Sequence, residues 1–126
     1  VAYRILVTGS REWTDDRAVA VALGHAITRA PFEEEIVIVH GAAPGADSSA
    51  RTWANLRGFT EEPHHYSEHA SPKHRNDHMV RLGADICLAF AQSWASGTGH
   101  CARAARRAGI ETIDYGVDTR IESRPW

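Results

Sequence analysis

The feature that most constrains this chain is an alternation. A short apolar or β-branched run closes on small residues, a segment of helical period follows, and the pattern starts again. "YRILVTG" (Tyr3 to Gly9) is a buried-strand pattern ending on glycine. In "TDDRAVAVALGHAITRA", Thr14 or Asp15 stands where a helix cap belongs; Val19, Leu23, Ala26 and Ile27 recur near the helical period, and Pro31 closes the segment. "EIVIVHG" is a second strand, and the helix after it runs from Pro44 or Gly45 to a left-handed stop at Gly58. "FTEEPHHY" is a weaker strand, because Pro63 cannot donate to a ladder and belongs at an edge or an end. "SPKHRNDHMVRLGA" predicts a helix with Ser71 as cap and Pro72 as first residue. "DICLAF", "SGTGHCARAARRAG" and "IETIDY" complete the series as strand, helix and strand. Such alternation predicts a mainly parallel sheet of about five strands covered on both faces, an α/β doubly wound three-layer sandwich.

Length sets the domain count. With 126 residues and no repeat, linker or low-complexity stretch, the expectation is one domain over 1–126, with 116–126 as a loose or interface-packed tail. The formal net charge of −2 offers no electrostatic footprint for duplex DNA, so nucleic acid is a disfavoured partner. The two cysteines, Cys87 and Cys101, do not form a disulfide framework; Cys87 sits inside an apolar run as a small core residue. The apolar runs are strand-sized, well short of the ~20 residues of a membrane span. "VAYRILVTGS" carries no basic segment followed by a long apolar one, so the expected location is the cytoplasm.

In a doubly wound sheet, ligands bind outside the carboxyl ends of the strands, near the point where strand order reverses. The loops to inspect are therefore "TGSREW" (Thr8 to Trp13), "HGAAPGAD" (His40 to Asp47) and "FAQSWASGTGH" (Phe90 to His100). All are rich in small residues, and a helix start after such a loop can hold an anion on free N–H groups and the helix dipole. Gly97 and Thr98 stand where the last helix begins; Thr98 either caps it or gives its hydroxyl to a phosphate. Arg11 places a planar guanidinium directly after the first strand, for an anion or for a neighbouring acid. Arg75 and Asn76, beside Lys73, either join the site from the third helix or belong to a solvated helix face. There is no Walker A pattern and no G-x-G-x-x-G after the first strand, which disfavours ordinary P-loop or dinucleotide chemistry.

Taken in order and spacing, "RILVTGSREW", "VHGAAPGAD", "HRNDHM", "ADICLAF" and "SGTGHCARAARRAGI" resemble the YspA-related branch of the SLOG superfamily. These are Rossmann-like nucleotide-binding domains of bacteria and their phages. The resemblance covers Arg4 to Ile110. Its wider relatives include the LOG-type phosphoribohydrolases, often labelled lysine decarboxylases, and the DNA-processing protein DprA. It implies a nucleotide-derived ligand, a nucleoside phosphate or an ADP-ribose-like molecule, lying across the strand ends. Position by position it implies Gly9, Ser10 and Arg11 in the first ligand loop and Gly41, Gly45, Ala46 and Asp47 in the second. Arg75 and Asn76 reach in from the third helix, and Gly97 and Thr98 hold the phosphate. Two departures stand out. Ala42 replaces the second glycine of an H-G-G-A loop, and Cys101 replaces the glutamate of the LOG-type motif P-G-G-x-G-T-x-x-E, with Trp94 and Ala95 in place of its glycine pair. The missing glutamate weakens a direct transfer of N-glycosidic hydrolysis.

Cleaving a base from its sugar calls for a carboxylate near the sugar and an acid near the base. Asp47 is the catalytic candidate, ahead of Glu12 and His100, with a helix cap as its alternative role. Cys101, in the first turn of the last helix, is a weaker nucleophile candidate, since His100 is its neighbour in sequence and faces elsewhere. Trp13 and Trp94 are placed to stack on a base. "HHYSEHASPKHRNDH" holds five histidines, but without H-E-x-x-H or paired C-x-x-C spacing the expectation is surface histidines, with one or two lining the pocket and no metal. No cofactor is expected. The leading reading is a nucleotide-binding sensor or regulatory module; the alternatives are a phosphoribohydrolase-like enzyme and DprA-like binding of single-stranded DNA. A homo-oligomer is expected, with Trp53 or Trp126 marking its surface.

Overall fold

The computed structural model describes residues 1–116; the expected tail after Gly116, with Trp126, lies outside the described residues. Five strands, β1 (Ala2–Gly9), β2 (Glu35–His40), β3 (Thr60–Pro63), β4 (Ile86–Ala91) and β5 (Glu111–Gly116), pair all-parallel in the order β3-β2-β1-β4-β5. The helices between them are α1 (Asp16–Ile27), α2 (Ala46–Arg57), α3 (Pro72–Leu82) and α4 (Gly97–Arg107), and a single 3₁₀ turn (Tyr66–Glu68) precedes α3. This is the Rossmann-like doubly wound arrangement that the alternation implies.

Strand alternation decides which helix covers which face. Ile5, Val7, Ile38, Ile86, Leu88 and Phe90 point to one side and bury against Val19, Leu23 and Ala26 of α1 and Ala46, Ala50 and Trp53 of α2. Leu6, Val37, Val39 and Cys87 point to the other, against Met79 and Val80 of α3 and Cys101 and Ala105 of α4. Register carries the same facing across the sheet: Ile5 pairs with Ile38 on one side and Ile86 on the other.

The helix ends follow the local chemistry. Asp15, not Thr14, caps α1, accepting from the Ala18 N–H at 3.0 Å. Ser71 caps α3 through the His74 N–H at 3.0 Å, with Pro72 as the first residue. Gly58 ends α2 in the left-handed conformation, with φ 75°. Pro63 ends the edge strand β3, where its missing N–H costs nothing. Trp53 is not an exposed oligomer marker: it is buried and stacks on Phe59, with ring centroids 5.3 Å apart.

Candidate functional site

From β1 the chain winds outward through β2 and β3, then crosses back to β4 on the other flank, so strand order reverses between β1 and β4. Outside the carboxyl ends of these strands lies a cavity of 390 Å³. Its walls are the three small-residue loops, the start of α3, and Tyr66 from the 3₁₀ turn.

The first wall follows β1. The Ser10 N–H donates to the Phe90 carbonyl (2.9 Å), and Ser10 Oγ accepts from the Gln92 N–H (2.7 Å). The Ser10 hydroxyl thus ties the β1 loop to the β4 loop across the switch point. Thr8, Gly9, Arg11 and Glu12 line the cavity beside it. Arg11 is exposed, and its guanidinium has no ion-pair partner among the described residues. Trp13 does not face the cavity. It is buried edge-to-face against Phe90 (5.5 Å, 62°), donates Nε1–H to the Asp15 carbonyl at 3.0 Å, and lines a separate hollow on the α1–α2 side.

The second wall is held from within. Asp47 Oδ2 accepts from the N–H groups of Gly41 (3.0 Å) and Ala43 (3.4 Å), so Asp47 fastens the loop rather than capping α2, whose N-cap is Gly45. Its other oxygen, Oδ1, is buried and has no hydrogen-bond partner among the described residues. Burial pushes the carboxyl up to about 7, although the Ala43 and Gly41 N–H groups and the Arg75 charge pull the other way. At the loop's root, buried His40 accepts from the Ala42 N–H through Nδ1 (3.0 Å), which leaves Nε2–H to donate to Glu61 Oε1 (2.7 Å). Burial draws this imidazole below its ordinary value, while the Glu61 hydrogen bond and charge pull the other way. Ala42 is held at φ 57°, a left-handed conformation that glycine adopts at lower cost.

Three residues expected in the ligand wall have packing roles behind it. A Cβ on Gly41 would overlap the Arg75 guanidinium, and one on Gly45 would overlap the Ser10 carbonyl. Ala46 is fully buried against Gly9, where even a methyl on the glycine would collide with the Ala46 Cβ. None of Gly41, Gly45 and Ala46 lines the cavity, whereas Gly9 does.

From α3, Arg75 and Asn76 do reach in, and both are buried, so neither belongs to a solvated face. Arg75 donates from Nε to Asn76 Oδ1 (2.7 Å) and from Nη1 to the Gly41 carbonyl (2.5 Å). The Gly41 carbonyl and the Asn76 amide fix the guanidinium in the cavity wall, and desolvation draws its pKa down while Asp47 opposes that.

The last wall is the start of α4, lined by Ser96, Gly97 and Thr98. The N-cap is Ser96, which makes no side-chain cap bond, so Thr98 is not the cap and lies in the first turn. A Cβ on Gly97 would meet nothing nearer than Asn76 Nδ2 at 3.9 Å. Cys101 one turn on is fully buried, and burial pushes its thiol up to about 11, the reverse of what a nucleophile needs. His100 turns to Asp77 on α3, with Nε2 at 3.0 Å from Oδ1. Trp94 packs its backbone on Gly99 and its ring on Gly116.

Reading the sequence alone missed Tyr66 and Pro72, which lie outside the three loops, as lining residues. Tyr66 lies in a polar, histidine-rich run that gives no periodic signal. It is half-exposed and supplies the aromatic face that Trp13 does not.

This geometry can be set beside known proteins. The family model described as YspA, cpYpsA-related SLOG family matches residues 3–66. The Gene 61 protein of Mycobacterium phage D29 is 43% identical over 122 residues, covering 90% of this chain and 96% of its own. The chain belongs to the YspA, cpYpsA-related SLOG family. No solved structure matches it significantly. As a SLOG domain it is Rossmann-like and nucleotide-related, and residues 3–66 hold the first two cavity loops and Tyr66. No helix among the described residues of this SLOG domain is long and apolar enough to cross a membrane.

Proposed function

We propose that the cavity binds one nucleotide or nucleotide-derived molecule, and that the domain acts as a sensor or regulatory module. The observation that carries this is convergence. Three loops and two buried polar side chains of α3 meet at the switch point around 390 Å³, a volume suited to a small ligand and too short for a strand. Within it, the phosphate lies on the first-turn N–H groups of α4 with Thr98 beside them, and Arg11 closes on it from the rim. A helix terminus contributes about 0.3–1 kcal/mol to an anion, and a hydrogen bond to a charged group about 1.5–3 kcal/mol. Asn76 is the amide available to a sugar or base edge, and Tyr66 the face available for stacking. The pocket size and the chain's net charge of −2 both count against a DprA-like single-strand track.

A second reading, hydrolysis of the base–sugar bond, is favoured by one observation: the buried Asp47 Oδ1, which has no hydrogen-bond partner among the described residues. Against it stands Cys101, buried and protonated where the LOG-type enzymes place a glutamate.

The test is a panel of nucleoside monophosphates and ADP-ribose, scored by calorimetry and by chromatography for free base. Binding without base release, weakened about tenfold by Arg11→Ala, supports the sensor. Base release abolished in Asp47→Ala supports the enzyme. Silence across the panel refutes both.

A further inference from the structure

Outside the cavity, the fold gathers three histidines from three separate segments. His64 follows the end of β3, His69 follows the 3₁₀ turn, and His78 lies in the middle of α3. One ring nitrogen of each lies within 4.8 Å of one of each of the others. The His64–His78 and His69–His78 ring centroids are 5.6 and 4.9 Å apart, and all three side chains are partly buried.

We propose that His64, His69 and His78 form a three-imidazole site for a divalent transition-metal ion of the zinc class. The donor set selects the ion: three neutral imidazoles suit zinc, nickel, cobalt or copper and do not suit magnesium or calcium. A tetrahedral ion with Zn–N near 2.0–2.1 Å needs its nitrogens about 3.3 Å apart. Partly exposed rings close the remaining gap by side-chain rotation. A separate observation favours the same use. His64 Nε2 is 2.7 Å from Glu62 Oε2, so its N–H points at the carboxylate and Nδ1 carries the free lone pair. Glu62 is in turn gripped by Arg4 through both oxygens, at 2.9 Å each. This carboxylate–histidine arrangement is the outer support that orients a ligating imidazole and raises its basicity. The frame is firm on one side, since the His64 N–H donates to the His40 carbonyl at 2.8 Å. Three protein ligands leave the fourth position open. An ion here fastens both ends of the 64–69 segment to α3, and Tyr66, which walls the cavity, lies within that segment.

The experiment titrates untagged full-length protein with cobalt(II), followed by visible absorption, and with zinc in competition. Wild type takes up one ion per chain with the absorption of a tetrahedral site, and zinc displaces the cobalt. His69→Ala and His78→Ala each weaken zinc binding by about tenfold or more, while His25→Ala, on α1 across the sheet, leaves it unchanged. His69 lies on a loop, so its variant keeps the far-UV circular dichroism of wild type and reports ligation rather than folding. Absence of uptake by wild type, zinc affinity unchanged from wild type in the two ligand variants, or one ion per two chains with doubled mass overturns the proposal.

Discussion

Two loops of similar composition precede two helices at the same sheet edge, and they use their small residues in opposite ways. In the β2–α2 loop the space is already taken. Gly41 makes room for Arg75, Gly45 for the Ser10 carbonyl, and Ala46 meets Gly9, while Asp47 accepts the loop's own N–H groups. In the β4–α4 loop the space is open at Gly97, although two residues further on Gly99 packs against the Trp94 carbonyl. Among the described residues a side chain on Gly97 would meet only the far end of Asn76, and the N-cap Ser96 makes no side-chain cap bond. One loop is small so that the protein can close on itself; the other is small so that something else can approach. Glycine content alone cannot tell these apart.

The largest expected effect breaks that contrast at Gly45. Its φ is +82°, and a Cβ would enter the Ser10 carbonyl, so Gly45→Val combines left-handed strain at a β-branched residue with backbone overlap. A loss of more than about 4 kcal/mol is expected in urea unfolding. Gly97→Ala is its counterpart. With open space around it and a helical position beneath, it raises stability by about 0.5–1 kcal/mol and weakens nucleotide binding. A loss of stability at Gly97 as large as that at Gly45 would remove the distinction between the loops.

Asp47 gives the second, pH-dependent break. Its carboxyl titrates at about 7 in the folded chain against 3.8 as the ordinary value. Between those values the folded state holds a proton that the unfolded state has released. Stability from this group is therefore fully present below about pH 4, falls as pH rises, and levels off above about pH 7. The span is up to about 4 kcal/mol, at 1.36 kcal/mol per unit. Asp47→Asn keeps an oxygen for the Gly41 and Ala43 N–H groups but cannot ionise, so it lacks this group's fall in stability over that window. Urea midpoints at pH 4.5, 6 and 7.5 check this; parallel slopes in both proteins would show that Asp47 is ionised throughout.

How much of this was legible in the chain depends on what each signal encodes. The strands and helix ends were, because alternation, the Ser71–Pro72 pair and Gly58 are local rules that tertiary contacts did not override. The three loops were legible as well, since a parallel sheet brings every strand's carboxyl end to one edge. Side-chain direction beyond a strand end was not. Trp13 and Arg11 are two residues apart, yet one is in the core and the other at the rim. Periodicity has nothing to say where neither the helical nor the strand repeat applies. The same holds for Tyr66 and for His64, His69 and His78, which meet only because β3, the 3₁₀ turn and α3 fold together.

The smallest effect sharpens the comparison at Ala42, the departure from the H-G-G-A pattern. Its φ of 57° is held by a hydrogen bond from its N–H to His40 Nδ1, so the loop imposes a conformation that alanine resists. The left-handed cost is roughly 1–2 kcal/mol for an L-residue, and glycine at the site removes it. Glycine also loses more freedom on folding, by roughly 0.5–1 kcal/mol. The two terms oppose, leaving Ala42→Gly between neutral and about 1.5 kcal/mol more stable by urea unfolding. Because the loop is held by Asp47, Arg75 and His40 and not by its own propensity, the variant keeps the nucleotide affinity of wild type. A clear loss of affinity would mean that the Ala42 methyl itself touches the ligand, and that the closed loop is also part of the open face.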